Sequence, residues 1–418
     1  MSMYPATPLG YARMACDTMM RRYKVNELPP QRYGRATFNY HQGVFLTGMS
    51  RVYEICGDER YYDYIDEWVH AVQDENGRIR EYDGWLTLTT LDFRQPANVL
   101  AFMYEKTKDA HYLELMGYLA ESLVDYPKNE YGGFWHFYTT PDQMWVDGLY
   151  MAGPLLTRYA KYTGKDELRE LAIRQIFIMY EHMRDGNGLL RHGWDPSGKA
   201  EWADPETGLS PEVWGRACGW FVLAIADMLD DIPAAHPKYQ EIVRIEQELI
   251  ATLLKWQSDE GRWYEVVDKW REKDNWPENS CTCLFIYSIA KGIRKGYISS
   301  DAYPAARRAY DRVIETLLPA PEGEFSMGDI CIGTCIEEGT YDYYVARDRI
   351  ENDLHGIGAF LLMAAEMEKI RLTTYTNRRR RQFNTGFRLK NAQMQSSLFI
   401  PATRSGGRRC GSSLTEAT

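Results

Sequence analysis

No run of about eighteen apolar residues, the length a helix needs to cross a bilayer, occurs in the chain. No helical membrane span is therefore expected. The opening stretch MSMYPATPLGYARM has no basic segment followed by an apolar one, so no secretory leader is expected. Zinc-type CxxC spacing is missing as well. The eight cysteines include the pairs Cys281/Cys283 and Cys331/Cys335, and most sit in apolar, helix-like settings. They read as buried thiols, which fits a reducing, cytoplasmic compartment. Positive charge is in deficit. The net charge of −10 argues against general nucleic-acid binding. Sustained apolar/polar alternation is scarce, which excludes a large sheet and predicts a mainly helical chain.

What is present is a loose internal repeat. GVFLTGMSRVYEICGDERYYDYIDEWVHAV begins at Gly43, VLAFMYEKTKDAHYLELMGYLAESL at Val99 and GPLLTRYAKYTGKDELRELAIRQIFIMYEHM at Gly153. Each is an apolar helix, a short polar turn and a second, amphipathic helix. Gly57 and Gly164 suit the left-handed position that ends a helix, and the acids after them suit the next N-terminus. Two weaker copies start at GWFVLAIADMLDDIP and CTCLFIYSIAKGIRKGYIS. The last helix, GIGAFLLMAAEMEKI, lacks a following partner, and the first, YARMACDTMMRRY, can supply it. Six hairpins then close a toroid with inner and outer helix layers.

Between hairpins the loops share one flavour: DENGRIREYDGW, NEYGGFWHFY, RDGNGLLRHGWD, SDEGRWYEV and EGEFSMG. An acid or Asn, then a glycine, then aromatic or basic residues make turns or short hairpins. In a stacked ring these loops share one face. From Arg371 the chain changes character: ten Lys/Arg stand against the single acid Glu416, which leaves −19 for the preceding residues. This basic segment, 371–418, lacks helical periodicity and reads as a disordered tail after a 1–370 domain. Its NRRRR run is a weak polyanion motif.

The same-face loops and helix starts collect a particular set of polar residues. They are Tyr40 and His41 in FNYHQGVF, Asp92 in TLDFRQPANVL, His136, and Trp145 and Asp147 in QMWVDGLYMAGPLL. They continue with His192 and Trp194 in LLRHGWD, and Trp214, Arg216 and Trp220 in VWGRACGW. Each has a plain alternative. Asp147 and Asp92 can cap helices, His192 can be structural, Arg216 can pair with Glu212, and Trp145 or Trp214 can be core. Independent caps, however, would favour Ser, Thr and Asp over His, Arg and Trp at these repeat positions. Together the set can bind a sugar acid: indoles stack on the ring, cations meet a carboxylate, and a carboxylic acid moves a proton.

These motifs, with FNYHQGVFLTGMSRVYEICGDERYYDYIDEWV and DLHGIGAFLLMAAEME, resemble the family 105 glycoside hydrolases, the unsaturated rhamnogalacturonyl hydrolases, over residues 9–369. The unsaturated glucuronyl hydrolases are a sister family with some of the same pattern. The resemblance implies an (α/α)6 barrel. It also implies hydration of a vinyl ether in the 4,5-unsaturated uronic acid that a lyase leaves on an oligosaccharide. Carried over by motif, Asp147 is the general acid and base and Asp92 the second carboxylate. His192 and Arg216 bind substrate, and Trp145, Trp214 and Trp220 shape the sugar subsite. Tyr40, His41 and His136 are weaker carry-overs. No metal or other cofactor is implied.

A proton donor at neutral pH needs a raised pKa, and an exposed Asp sits at about 3.9. Flanking indoles and a nearby Asp92 are expected to raise that of Asp147 against the helix dipole. Rival readings are a glucuronyl hydrolase or a sugar epimerase of the same fold, and a non-enzymatic toroid that binds anionic sugars.

Overall fold

The computed structural model describes residues 7–31, 34–81, 84–85 and 88–373. Residues 1–370 form one compact unit. The tail expected from 371 lies, from 374 on, outside the described residues.

The expected helices form where caps and periodicity place them. They are α1 (Pro8–Arg22), α2 (Tyr40–Cys56), α3 (Glu59–Ala71), α4 (Ala97–Thr107), α5 (Ala110–Glu121), α6 (Gly148–Thr163) and α7 (Asp166–His182). Then come α8 (Gly215–Met228), α9 (Tyr239–Lys255), α10 (Asn279–Lys295), α11 (Tyr303–Glu315), a short helix outside the expected set, α12 (Tyr341–Val345), and the expected α13 over 354–373. The side chain of Asn39 accepts the Gln42 N–H to start α2, and Gly57 at φ 64° ends it. Gly164 at φ 75° ends α6, as its position predicts. In the second hairpin Lys108, not glycine, takes the left-handed position.

Burial separates the layers. Every residue of α8 is buried, and so are nearly all of α10. By contrast, α9 buries Ile242, Ile245, Leu249, Ile250 and Leu253, a single helical stripe. Each such side chain contributes about 1.5–3 kcal/mol by leaving water. The inner helices pack in sequence, α2 on α4, α4 on α6, α6 on α8 and α8 on α10. Arg294 of α10 pairs with Glu366 of α13 at 2.6 Å, and His355 of α13 meets His41 of α2. The ring is closed. With α3, α5, α7, α9, α11 and α1 outside, the fold is an (α/α)6 barrel. Among the described residues, strands are two residues long, and no helix is long and apolar enough to cross a membrane.

The loops entering inner helices repeat one turn. Asp74, Asn129 and Asp185 each accept backbone N–H groups two and four residues ahead, and a glycine three residues on takes positive φ: Gly77, Gly132 and Gly188. Ser258 and Gly261 build the fourth copy. Only glycine adopts this conformation without strain. These turns gather the polar candidates at one end of the barrel.

Candidate active site

A cavity of about 220 Å³ opens at that end of the barrel. Asp147 and Asp92 both line it, beside Tyr40, His41 and His136. Trp145, Trp214, Arg216 and Trp220 complete its wall. Nine of the eleven candidate residues thus share one cavity.

Asp147 stands at the N-cap position of α6, yet its side chain makes no capping bond and its backbone is helical. It is 8% exposed and turned into the cavity. Asp92 lies on the single turn Leu91–Phe93, and α4 begins after Pro96, so Asp92 does not cap that helix either. The capping alternatives therefore fail for both carboxylates. Gly148 explains the close approach of the two segments. A Cβ there would stand 2.8 Å from Leu91 Cδ1, so a side chain after Asp147 would displace the Leu91 side chain on the turn that carries Asp92.

His192 departs from its expected role. It is fully buried and lies behind Asp147, outside the cavity lining. Its Nε2 is 3.2 Å from Asp147 Oδ2, close enough to interact but angled off a hydrogen bond. Its Nδ1 is 2.6 Å from the Tyr344 hydroxyl. A matching pair sits at Asp92, whose Oδ1 is 3.3 Å from His136 Nε2. His136 in turn stacks on Trp145, with ring centres 4.5 Å apart.

The expected rise in the Asp147 pKa is corrected. Burial does raise it, but the His192 imidazole beside it, and His136 further off, outweigh burial and hold it below the usual value. Burial drives the His192 pKa down despite the Asp147 charge. At neutral pH an Asp147 carboxylate therefore stands against a neutral His192.

Arg216 does not pair with Glu212, which takes Lys269 at 2.6 Å instead. The guanidinium lies over the Trp214 ring at 4.4 Å and donates to the carbonyl oxygens of Cys331 (2.5 Å) and Ile332 (2.7 Å). It thereby ties down the loop whose Gly333, Thr334 and Cys335 line the cavity. Trp214 donates to Glu265 Oε1 at 2.8 Å, and Trp220 stacks face to face on Tyr150. Trp145 belongs to a small cluster with Trp202 and Ile336, apart from the main core, whereas Trp214 is part of that core. Trp194 stacks on His182 and does not line the cavity.

Sequence reasoning missed Glu265, Tyr344 and the Gly333–Cys335 loop. Cys335 is exposed and lines the cavity, contrary to its reading as a buried thiol. The only signal for this loop was the CIGTC stretch, which has glycine and threonine where no helix continues.

A sequence model described as Glycosyl Hydrolase Family 88 matches residues 11–371. The chain belongs to that family. It is a glycoside hydrolase, and its relatives bear out the resemblance to the family 105 group. "Unsaturated rhamnogalacturonyl hydrolase YesR" of Bacillus subtilis is 26% identical over 341 residues, covering 80% of this chain and 90% of the relative. "Protein Atu3128" of Agrobacterium fabrum is 30% identical over 230 residues, 52% of this chain and 97% of the relative. The solved glycoside hydrolase from family 105 of C. acetobutylicum superposes with a TM-score of 0.80 at 28% identity, covering 86% of this chain and 99% of that one.

Proposed function

We propose that the chain removes a 4,5-unsaturated uronic acid from the non-reducing end of lyase-generated oligosaccharides, with unsaturated galacturonyl-rhamnose from pectin as substrate. The supporting observation is the pair of uncapped carboxylates, Asp147 and Asp92, each against a histidine in one indole-walled cavity. Asp147 acts first as acid, then as base. Its proton goes to C4, the double-bond electrons form the new C4–H bond, and positive charge develops at C5, where the ring oxygen shares it. Water adds at C5, and Asp147 takes the proton that water releases. The hemiketal opens and the neighbouring sugar leaves. Asp92, held by His136, orients the ring or the water. Trp145, Trp214 and Trp220 form the sugar wall, and Tyr40, His41 and Arg216 meet its polar groups.

The lowered pKa of Asp147 fits this chemistry once substrate binds. The uronate is an anion, and it displaces water. Both effects favour the protonated acid, so the proton is taken up together with the substrate. The carboxylate-spacing rule for anomeric displacement does not apply, because no bond to the anomeric carbon is attacked in the first step. A panel of lyase-digested pectins and glycosaminoglycans, followed at the ultraviolet band of the conjugated double bond, tests the assignment. Preference for digested rhamnogalacturonan supports it. Preference for glycosaminoglycan products makes the chain a glucuronyl hydrolase, and a band that persists with every substrate removes the reaction.

A further inference from the structure

At the seam where α13 meets α2, two imidazoles and a carboxylate converge outside the carboxylate pairs above. Asp353 Oδ1 is 2.9 Å from His41 Nδ1 and 2.8 Å from His355 Nδ1, and the two nitrogens are 3.2 Å apart. His355 is fully buried, and its Nε2 is 3.1 Å from the Cys331 carbonyl oxygen. A carbonyl only accepts, so Nε2 carries the hydrogen. A neutral imidazole has one N–H to give. In that neutral ring His355 Nδ1 turns a lone pair toward the Asp353 carboxylate, an arrangement that a cation bound between them would favour.

The spacing suits a metal ion. With bonds of about 2.1 Å, donors 2.8–3.2 Å apart subtend roughly 85–100° at a common centre, the angles of one face of an octahedron. The His355 Nε2–H to Cys331 bond is the outer-shell contact that fixes the ring of a metal-bound histidine. Access exists, since His41 and Asp353 line a separate cavity of about 410 Å³. Among the described residues this is the one group of three such side chains with ligand spacing. His41 lies 312 and 314 positions from Asp353 and His355, which are two positions apart, so no short sequence motif brings the three together.

We propose that His41, Asp353 and His355 bind one divalent first-row transition-metal ion through Nδ1, Oδ1 and Nδ1. The ion joins the first and last inner helices and fixes the ring of His41, a residue that also lines the candidate active-site cavity. The test uses tag-free, full-length protein stripped with a chelator, titrated with Zn²⁺ by calorimetry and with Co²⁺ by visible absorption. One equivalent of ion is expected to bind and to raise Tm. His41→Ala and Asp353→Asn, each shown folded by circular dichroism, are expected to weaken binding at least about tenfold. Cys335→Ser, which removes the exposed thiol, is expected to bind like the wild type. A folded, stripped wild type that binds neither ion overturns the proposal. So does binding that survives in both ligand variants, or that disappears only in Cys335→Ser.

Discussion

At the residue scale, the pKa of Asp147 is set by a neighbour that the sequence does not place beside it. Flanking indoles and a second carboxylate are visible in the motif, and both point upward. The contact with His192 crosses 45 positions and reverses the sign. Removing it is informative. His192→Gln deletes the first of the lowering influences and leaves burial, so the Asp147 pKa rises. The alkaline limb of kcat/KM then moves to higher pH, and an unmoved limb in a pH–rate profile contradicts the assignment. Glu265 behaves oppositely. Burial, with Glu278 nearby, raises its pKa from 4.5 to about 8. The folded state then keeps a proton that the unfolded chain releases, so this contribution is full below pH 4.5 and is lost as pH rises through 8. Glu265→Gln cannot ionise. Its stability relative to the wild type is expected to climb from pH 5 to 8, with a slope of at most about 1.4 kcal/mol per pH unit, and its Tm relative to the wild type climbs with it. A constant difference in thermal melts would contradict this. Arg216 holds two carbonyl oxygens, one of them buried, and hydrogen bonds to charged groups are worth about 1.5–3 kcal/mol each. Arg216→Ala is expected to lower both Tm and kcat/KM. Arg216→Lys, which keeps the charge without the fork, is expected to lose less of each. A melt unchanged in Arg216→Ala would show that the 331–335 loop does not depend on it.

At the element scale, caps and apolar periodicity were enough to place the hairpin helices, because those signals are local. The short helix α12 was not legible. Its role depends on Tyr344 reaching His192, a contact made only in the folded barrel. The two carboxylates were legible as candidates because they stand at helix mouths, but only the structure shows that neither caps. The approach of their segments gives a test. Gly148→Ala gains up to about 1 kcal/mol of helix propensity, but its methyl meets Leu91. Overpacking of this kind costs about 1–3 kcal/mol. Lower kcat is expected from displacement of Asp92, with Leu91→Ala in the same chain restoring part of it. No rescue in the double variant would mean that the Leu91–Phe93 turn does not transmit the strain.

At the scale of the whole molecule, the six repeats explain why polar side chains distant in sequence meet. Each hairpin delivers one loop to the same end of the ring, so residues from Tyr40 to Cys335 face one cavity. Fold and family were legible because the repeat and its motifs recur along the chain. The His41–Asp353–His355 cluster was not, since only ring closure brings its ends together. The proposed reaction depends most on Asp147. Turnover of an unsaturated rhamnogalacturonan disaccharide should be followed in the wild type and in Asp147→Asn, reading the conjugated-bond absorbance and the released sugar together. In the wild type the band should vanish in step with sugar release. In Asp147→Asn both rates should fall at least about 100-fold with Tm little changed. Near-wild-type turnover in Asp147→Asn, or sugar released while the band persists, would contradict vinyl-ether protonation by this residue.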